Sequence, residues 1–168
     1  VVENRSGAGS MLGTEAVARS PADGYTLLLA DLPYAIVPAL QARMPYDVEK
    51  DLVPVAMVGV APLLIFGAQA LPARNAAEFA ALAKAQPGHF TYGSGGVGAA
   101  SHMMGELFQA TTGTQLTHVP YRGGGPAIQD LAAGNLNTVC VTVASAAPQR
   151  ASGQIRGLGV MSAERMRS

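Results

Sequence analysis

A single cysteine, little charge and no long apolar run set the first limits on this chain. Cys140 stands alone in 168 residues, which excludes an internal disulfide and any Cys-based metal site. It lies within Thr138-Val-Cys-Val-Thr-Val143, a buried-strand pattern, so it reads as a small core residue rather than a reactive thiol. The redox compartment stays open. Charged residues make up only 13% of the chain and cancel to a net charge of zero. The eleven Lys and Arg and the three His are scattered, so there is no basic stripe and no nucleic-acid partner is expected. An apolar content of 49% argues against disorder. No apolar run reaches the ~18 residues that a membrane span requires. Pro54, Pro62 and Gly67 break the longest candidates. Val1-Val-Glu-Asn-Arg5 has neither a charged n-region nor an apolar h-region, so no export signal is visible in these residues.

What is present is alternation. The length suits one ordinary domain or parts of two small lobes. Strand-like and helix-like stretches follow one another almost throughout, which predicts βα units and a largely parallel sheet. Val1 to Glu3 reads as the tail of a strand, Tyr25 to Ala30 as a buried strand, and Val53 to Val60 and Leu63 to Phe66 as two more. Leu136 to Val143 and Ile155 to Met161 complete the set. Helices are expected over about Met11 to Arg19, Tyr34 to Ala42, Ala99 to Thr111 and Ser145 to Ser152. Another begins at Asn75, where Glu78 three residues on resembles a capping box, and ends at Pro87-Gly88. Met103, Leu107 and Ala110 form the apolar stripe expected to face the core. Gly125-Pro126 to Gly134 is a short helix with Pro at its first position and Gly past its end.

The most informative run is Phe90-Thr-Tyr-Gly-Ser-Gly-Gly-Val-Gly-Ala-Ala-Ser-His-Met-Met-Gly-Glu106, a short strand, a glycine-rich turn and a helix start. Backbone N–H groups in such a turn can face a ligand, and the first helical turn adds unpaired donors and partial positive charge. This is the pattern of a cradle for a carboxylate or phosphate. Gly93 to Gly98 satisfies G-x-G-x-x-G, but no carboxylate follows about 20 residues on, where His118 falls. A P-loop needs Lys and Ser or Thr where Ala99 and Ala100 stand, and a nucleophile elbow fails because Tyr92 replaces its first glycine. Nucleotide polyphosphate is thereby disfavoured. The competing reading is a flexible loop before a core helix.

Two further junctions resemble the first. His118-Val-Pro-Tyr-Arg-Gly-Gly-Gly-Pro126 places Tyr121 and Arg122 as hydroxyl and guanidinium donors beside glycines. Arg5-Ser-Gly-Ala-Gly9 precedes the first helix. Junctions of a parallel sheet share the edge where such folds bind ligands, so three together point to a small anionic ligand. Each alone reads equally well as an ordinary turn. Catalysis has little support: His102 and Glu106 are spaced to pair on one helix, but no second His completes a metal motif.

The motifs Val1-Val-Glu-Asn-Arg-Ser-Gly-Ala-Gly9, Pro21-Ala-Asp-Gly-Tyr-Thr-Leu-Leu28, Met44-Pro-Tyr-Asp47, Lys50-Asp51 with Pro54-Val55-Ala56, Tyr92-Gly-Ser-Gly95 with Ser101-His102, and His118-Val-Pro-Tyr-Arg-Gly123 occur in order along the whole chain. Together they resemble the Bug-type receptors, the substrate-binding proteins of tripartite tricarboxylate transporters. The resemblance implies an α/β, two-lobed type II periplasmic-binding-protein fold, incomplete at both ends of lobe one. Residues 1–71 would belong to lobe one, 72–156 to lobe two, and 157–168 to a strand crossing back. It further implies a periplasmic, non-enzymatic receptor that needs no cofactor, with a small carboxylate as ligand and the membrane subunits of the transporter as partners.

On that template the ligand-binding residues are Ser94, Gly95, Gly96, Gly98, Ala99, Ser101, Tyr121 and Arg122 with Gly7, Ala8, Gly9, Asp31 and Leu32. Several positions depart from the family pattern. Ala99 stands where a hydroxyl is usual, Asp31-Leu32-Pro-Tyr34 replaces a small polar run, and Val141-Thr142 replaces Asp-Asn. Ala99 and Asp31 together favour a ligand with one carboxylate and a neutral or cationic group, such as an amino acid or an aromatic monoacid. Two readings from other classes stay open. One is an α/β enzyme using the Gly93 loop as an anion site, the other a truncated remnant that does not bind or that self-associates.

Overall fold

The structure, a computed structural model, describes residues 1–162. At its centre lies one sheet of β1 (Leu63–Ala68), β2 (Thr91–Ser94), β3 (Thr117–Pro120), β4 (Thr138–Thr142) and β5 (Ile155–Val160), in the order β3-β2-β4-β1-β5. β2 runs parallel to β3 and β4, whereas β1 runs antiparallel to β4 and β5. The sheet is therefore mixed rather than largely parallel. Helical crossovers set the direction of β2 to β5, but none joins β1 to either of the strands it lies between. Of the segment 157–168 expected to cross back, residues 163–168 lie outside the described residues.

Period-two alternation gives the sheet two apolar faces. Phe66, Val139 and Val141 point to one side, where Ile128 and Leu131 of α5 (Gly124–Ala132) and Ala146 of α6 (Val143–Ala151) cover them. Ile65 and Cys140 point to the other, against Phe79 of α3 (Ala76–Ala85) and Phe108 of α4 (Ala100–Thr112). Phe79 stacks on Phe108 at 5.6 Å and meets Phe90 edge-on at 5.8 Å. Full burial of each such ring contributes about 1.5–3 kcal/mol. Burial also pushes the Cys140 thiol up to about 12, as expected of a core residue.

α3 starts as the sequence reads. Asn75 Oδ1 accepts the Glu78 N–H at 2.9 Å, and Glu78 Oε1 accepts from Asn75 Nδ2 at 2.8 Å. α4 differs from its expectation: Ser101, Gly105 and Phe108 are its buried positions, while Leu107 is 53% exposed. The helix closes on the Tyr92 ring through Gly105, where a Cβ would sit 2.1 Å from Tyr92 Cε2. A missing side chain, invisible to an apolar count, decides which face turns inward. Pro126 proves to be the third residue of α5 rather than the first.

Residues 1–62 hold a 3-10 turn over Ala8–Ser10, α1 (Met11–Ala18) and α2 (Pro33–Leu40), but no strand. Val1 to Glu3, Tyr25 to Ala30 and Val53 to Val60 were expected as strands and are not. The last two hold no regular secondary structure and are mostly exposed, and among the described residues no neighbouring strand offers them hydrogen bonds. A strand needs a partner for its backbone groups, and apolar composition alone does not supply one.

Candidate functional site

Three strand-to-helix junctions open at one edge of the sheet. Since β2, β3 and β4 run the same way, their C-terminal ends lie side by side, and each leads into a helix. Residues 95–102, 121–124 and 141–142 with Ser145 line a single cavity of about 700 Å³. Its opposite wall comes from residues 6–10, Asp31 and the α2 side chains Val37 and Leu40. The Ala8–Ser10 turn approaches closely: a Cβ on Gly9, whose φ is +61°, would lie 3.1 Å from the Val97 carbonyl.

Of the residues singled out from sequence, all but Ser94 and Leu32 line this cavity. Ser94 is fully buried, its hydroxyl 2.6 Å from His118 Nε2 and accepting the Gly96 N–H at 3.1 Å. Leu32 lies at the start of α2, half exposed and outside the lining. Thr142, noted only as a departure from the family pattern, and Ser145, not singled out, line it as well. Their signal was the Thr142-x-x-Ser145 spacing, which caps α6 through the Thr142 hydroxyl and the Ser145 N–H at 3.3 Å.

The glycine-rich turn works differently from the expected cradle. Gly95 donates its N–H to Ser101 Oγ at 2.9 Å, Gly96 to Ser94 Oγ at 3.1 Å, and Gly98 to His102 Nδ1 at 3.4 Å. These donors fold the loop. Glycine is needed at 96 and 98 because φ is +119° and +83° there. Free donors lie beside them instead: the N–H groups of Val97, Ala100 and Ser101 have no partner among the described residues. α4 has Ala99 as its N-cap, with no side-chain hydrogen bond to the helix. α5 is likewise uncapped by a side chain at Gly123, and its first N–H groups, Gly124 and Gly125, are free. Uncapped helix starts present donors and partial positive charge to whatever enters.

The charged groups on the wall are few. Arg122 lines the cavity with no ion pair among the described residues. The Tyr121 hydroxyl expected to face a ligand instead donates to Asp130 Oδ2 at 2.6 Å. Burial and that bond push Tyr121 up to about 12, so it stays neutral. Asp31 also lacks a side-chain partner, and burial raises its carboxyl above the ordinary range against a smaller pull from its own backbone. Behind the turn, the His118 ring stacks on Tyr92 at 4.7 Å and meets the His102 ring at a tilt, 4.4 Å away. His102 Nε2 lies 3.9 Å from Glu106 Oε1, which also accepts the Tyr92 hydroxyl. Burial first, then His102, holds His118 below its usual range. This array escaped the sequence reading because it depends on β2 pairing with β3 in the register Tyr92 to His118. Among the described residues no three His, Cys, Asp or Glu cluster to hold a metal, and no helix is long and apolar enough to cross a membrane.

The family model for the tripartite tricarboxylate transporter family receptor matches residues 1–168. The chain belongs to that receptor family. The Bordetella pertussis protein BugT is 39% identical over 98% of this chain and 51% of its own length. The structure of a periplasmic transporter superposes with a TM-score of 0.94 at 36% identity, covering 99% of this receptor chain and 56% of that one. An R. palustris protein with adipate superposes at 0.93 and 32% identity, covering 98% and 56%. The α/β fold is thus the type II periplasmic-binding-protein fold, over part of those structures. The receptor chain spans about half the length of the curated relatives it matches.

Proposed function

We propose that this chain carries the carboxylate-binding part of an extracytoplasmic solute receptor serving a tripartite tricarboxylate transporter. One observation carries the reading: free N–H groups at the starts of α4 and α5 line one cavity with the unpaired Arg122. A carboxylate there completes the donors that no side chain caps, while Arg122 adds a charge-assisted bond. Nothing chemical happens to the ligand; the receptor holds it and hands it to the membrane subunits in the periplasm. The adipate bound to a protein of the same fold supports a ligand of this class.

In this reading residues 1–71 form the near part of lobe one, 72–156 lobe two, and 157–168 the return, with the ligand between the lobes. The candidate contacts are Gly95, Gly96, Gly98, Ala99, Ser101, Tyr121 and Arg122 from one side and Gly7, Ala8, Gly9 and Asp31 from the other. The glycines and Tyr121 act chiefly by shaping the wall.

Calorimetry with adipate and succinate tests the reading. Two variants remove donors without breaking the fold: Arg122→Ala, and Ala100→Pro at the first position of α4, where proline is tolerated. Ala99 already holds the extended conformation that a following proline needs, with φ −65° and ψ 154°. Each is expected to weaken binding by about 1.5–3 kcal/mol. Unchanged affinity in both would overturn the site.

A further inference from the structure

We infer that Asp31 is a specificity-determining residue, and that it turns this site toward carboxylates that also carry an ammonium group. The inference rests on the carboxylate-binding reading above and sharpens it. The cavity has two walls of opposite character. On one stand the free N–H groups of Val97, Ala100, Ser101 and Gly124 together with the Arg122 guanidinium, all suited to an anion. On the other stands Asp31, whose carboxylate forms no ion pair and no hydrogen bond to another residue among those described.

Without such a ligand, this carboxylate is in the wrong place. A plain dicarboxylate filling the cavity would bring like charge toward Asp31 and exclude the water that screens it, a cost rather than a gain. A neutral or aromatic acid would cover the carboxylate and leave it without a donor, which is also unfavourable. A ligand ammonium supplies charge compensation and three donors at once. The rest of that wall, Ser6 to Ser10 with Pro33, Val37, Leu40 and Gln41, carries no cation to pair with it.

Matched pairs of ligands isolate this effect, because each pair differs only by the ammonium: succinate and aspartate, butanoate and 4-aminobutanoate, propanoate and β-alanine. Titrating the 168-residue chain with both members of each pair should show the amino member binding about ten to a hundred times more tightly in at least one pair. Asp31→Asn should erase that ratio, and Asp31→Glu should keep it. Asp31 is exposed enough that both variants should fold, which a thermal melt checks. If the members of every pair bind equally, if benzoate or succinate binds best, or if Asp31→Asn leaves the ratio unchanged, the inference is wrong although the receptor reading stands. If no carboxylate binds at all, the receptor reading fails and the inference with it.

Discussion

Val53 to Val60 and Leu63 to Ala68 lie a few residues apart and are equally apolar, yet they meet opposite fates. β1 sits between β4 and β5, paired on both sides, with Ile65 and Phe66 almost wholly buried. Val53, Val55, Met57, Val58 and Val60 are each more than 80% exposed, and no strand pairs with them. The same contrast divides the described residues: 63–160 carry the sheet and both apolar clusters, 1–62 only short helices and runs without regular structure. What separates the two is the supply of partners. β-propensity measures the fit of a side chain to a half-buried pleated surface, and without that surface it has nothing to act on.

Truncating one side chain in each region tests this difference most strongly. Phe66→Ala opens a cavity between β1 and the α5 face and should destabilise the chain by about 3–5 kcal/mol in urea unfolding. Val58→Ala should stay within about 0.5 kcal/mol of the parent. A comparable loss at Val58 would mean that the 53–60 run is packed in solution, and the comparison would break. Glycines sharpen it at a smaller scale. Gly105→Ala drives a methyl into the buried Tyr92 ring, and the roughly 1–3 kcal/mol of overpacking exceeds the ~1 kcal/mol gained in helix propensity. Gly59→Ala meets nothing within 4 Å and should be neutral or slightly stabilising through the unfolded state. Thermal melts should therefore show a fall for Gly105→Ala and none for Gly59→Ala.

Local chemistry was legible in the sequence and pairing was not. The capping box at Asn75 and the stop at Gly88 depend on residues a few positions apart, and both stand in the structure. The α4 start was legible as a glycine-rich turn leading into a helix, but the division of labour inside the turn was not. Gly95, Gly96 and Gly98 tie the loop to Ser101, Ser94 and His102, leaving Val97, Ala100 and Ser101 as the free donors. Tyr121 was misread for the same reason: its hydroxyl finds Asp130 one helix later, a contact that exists only after α5 folds back. Asp31 was legible as an anomaly because its charge opposes the rest of the site, whatever the fold.

The capped and uncapped helix starts form a second comparison. α3 draws on Asn75 for its first turn, so Asn75→Ala should cost about 1 kcal/mol, read by urea unfolding. The same measurement on Ala99→Gly should move little, because Ala99 provides no side-chain cap to lose. If the two variants behave alike, the starts of α4 and α3 are not different in kind and the argument for free donors weakens.

The smallest effect expected is a pH dependence seated behind the turn. His118 is held below its usual range, first by burial and then by the His102 ring, against a weaker opposite pull from Glu106. The unfolded chain therefore takes up a proton on His118 before the folded chain does. Stability is greatest above the ordinary histidine pKa of about 6.5 and declines as pH falls through the interval down to the depressed folded value. The Ser94 hydrogen bond need not break on protonation: Ser94 Oγ can donate to Nε2 of the neutral ring, or accept from it while turning its own hydrogen to the Gly96 carbonyl at 3.3 Å. The penalty is thus one of desolvation and like charge, which His118→Gln removes while keeping a side chain able to bond Ser94. Melts between pH 7.5 and pH 5 should show a fall in Tm for the parent and a flatter profile for the variant, whatever their absolute stabilities. Equal slopes would locate the titration elsewhere, and the 63–160 region would lose its one predicted weakness to acid in that range.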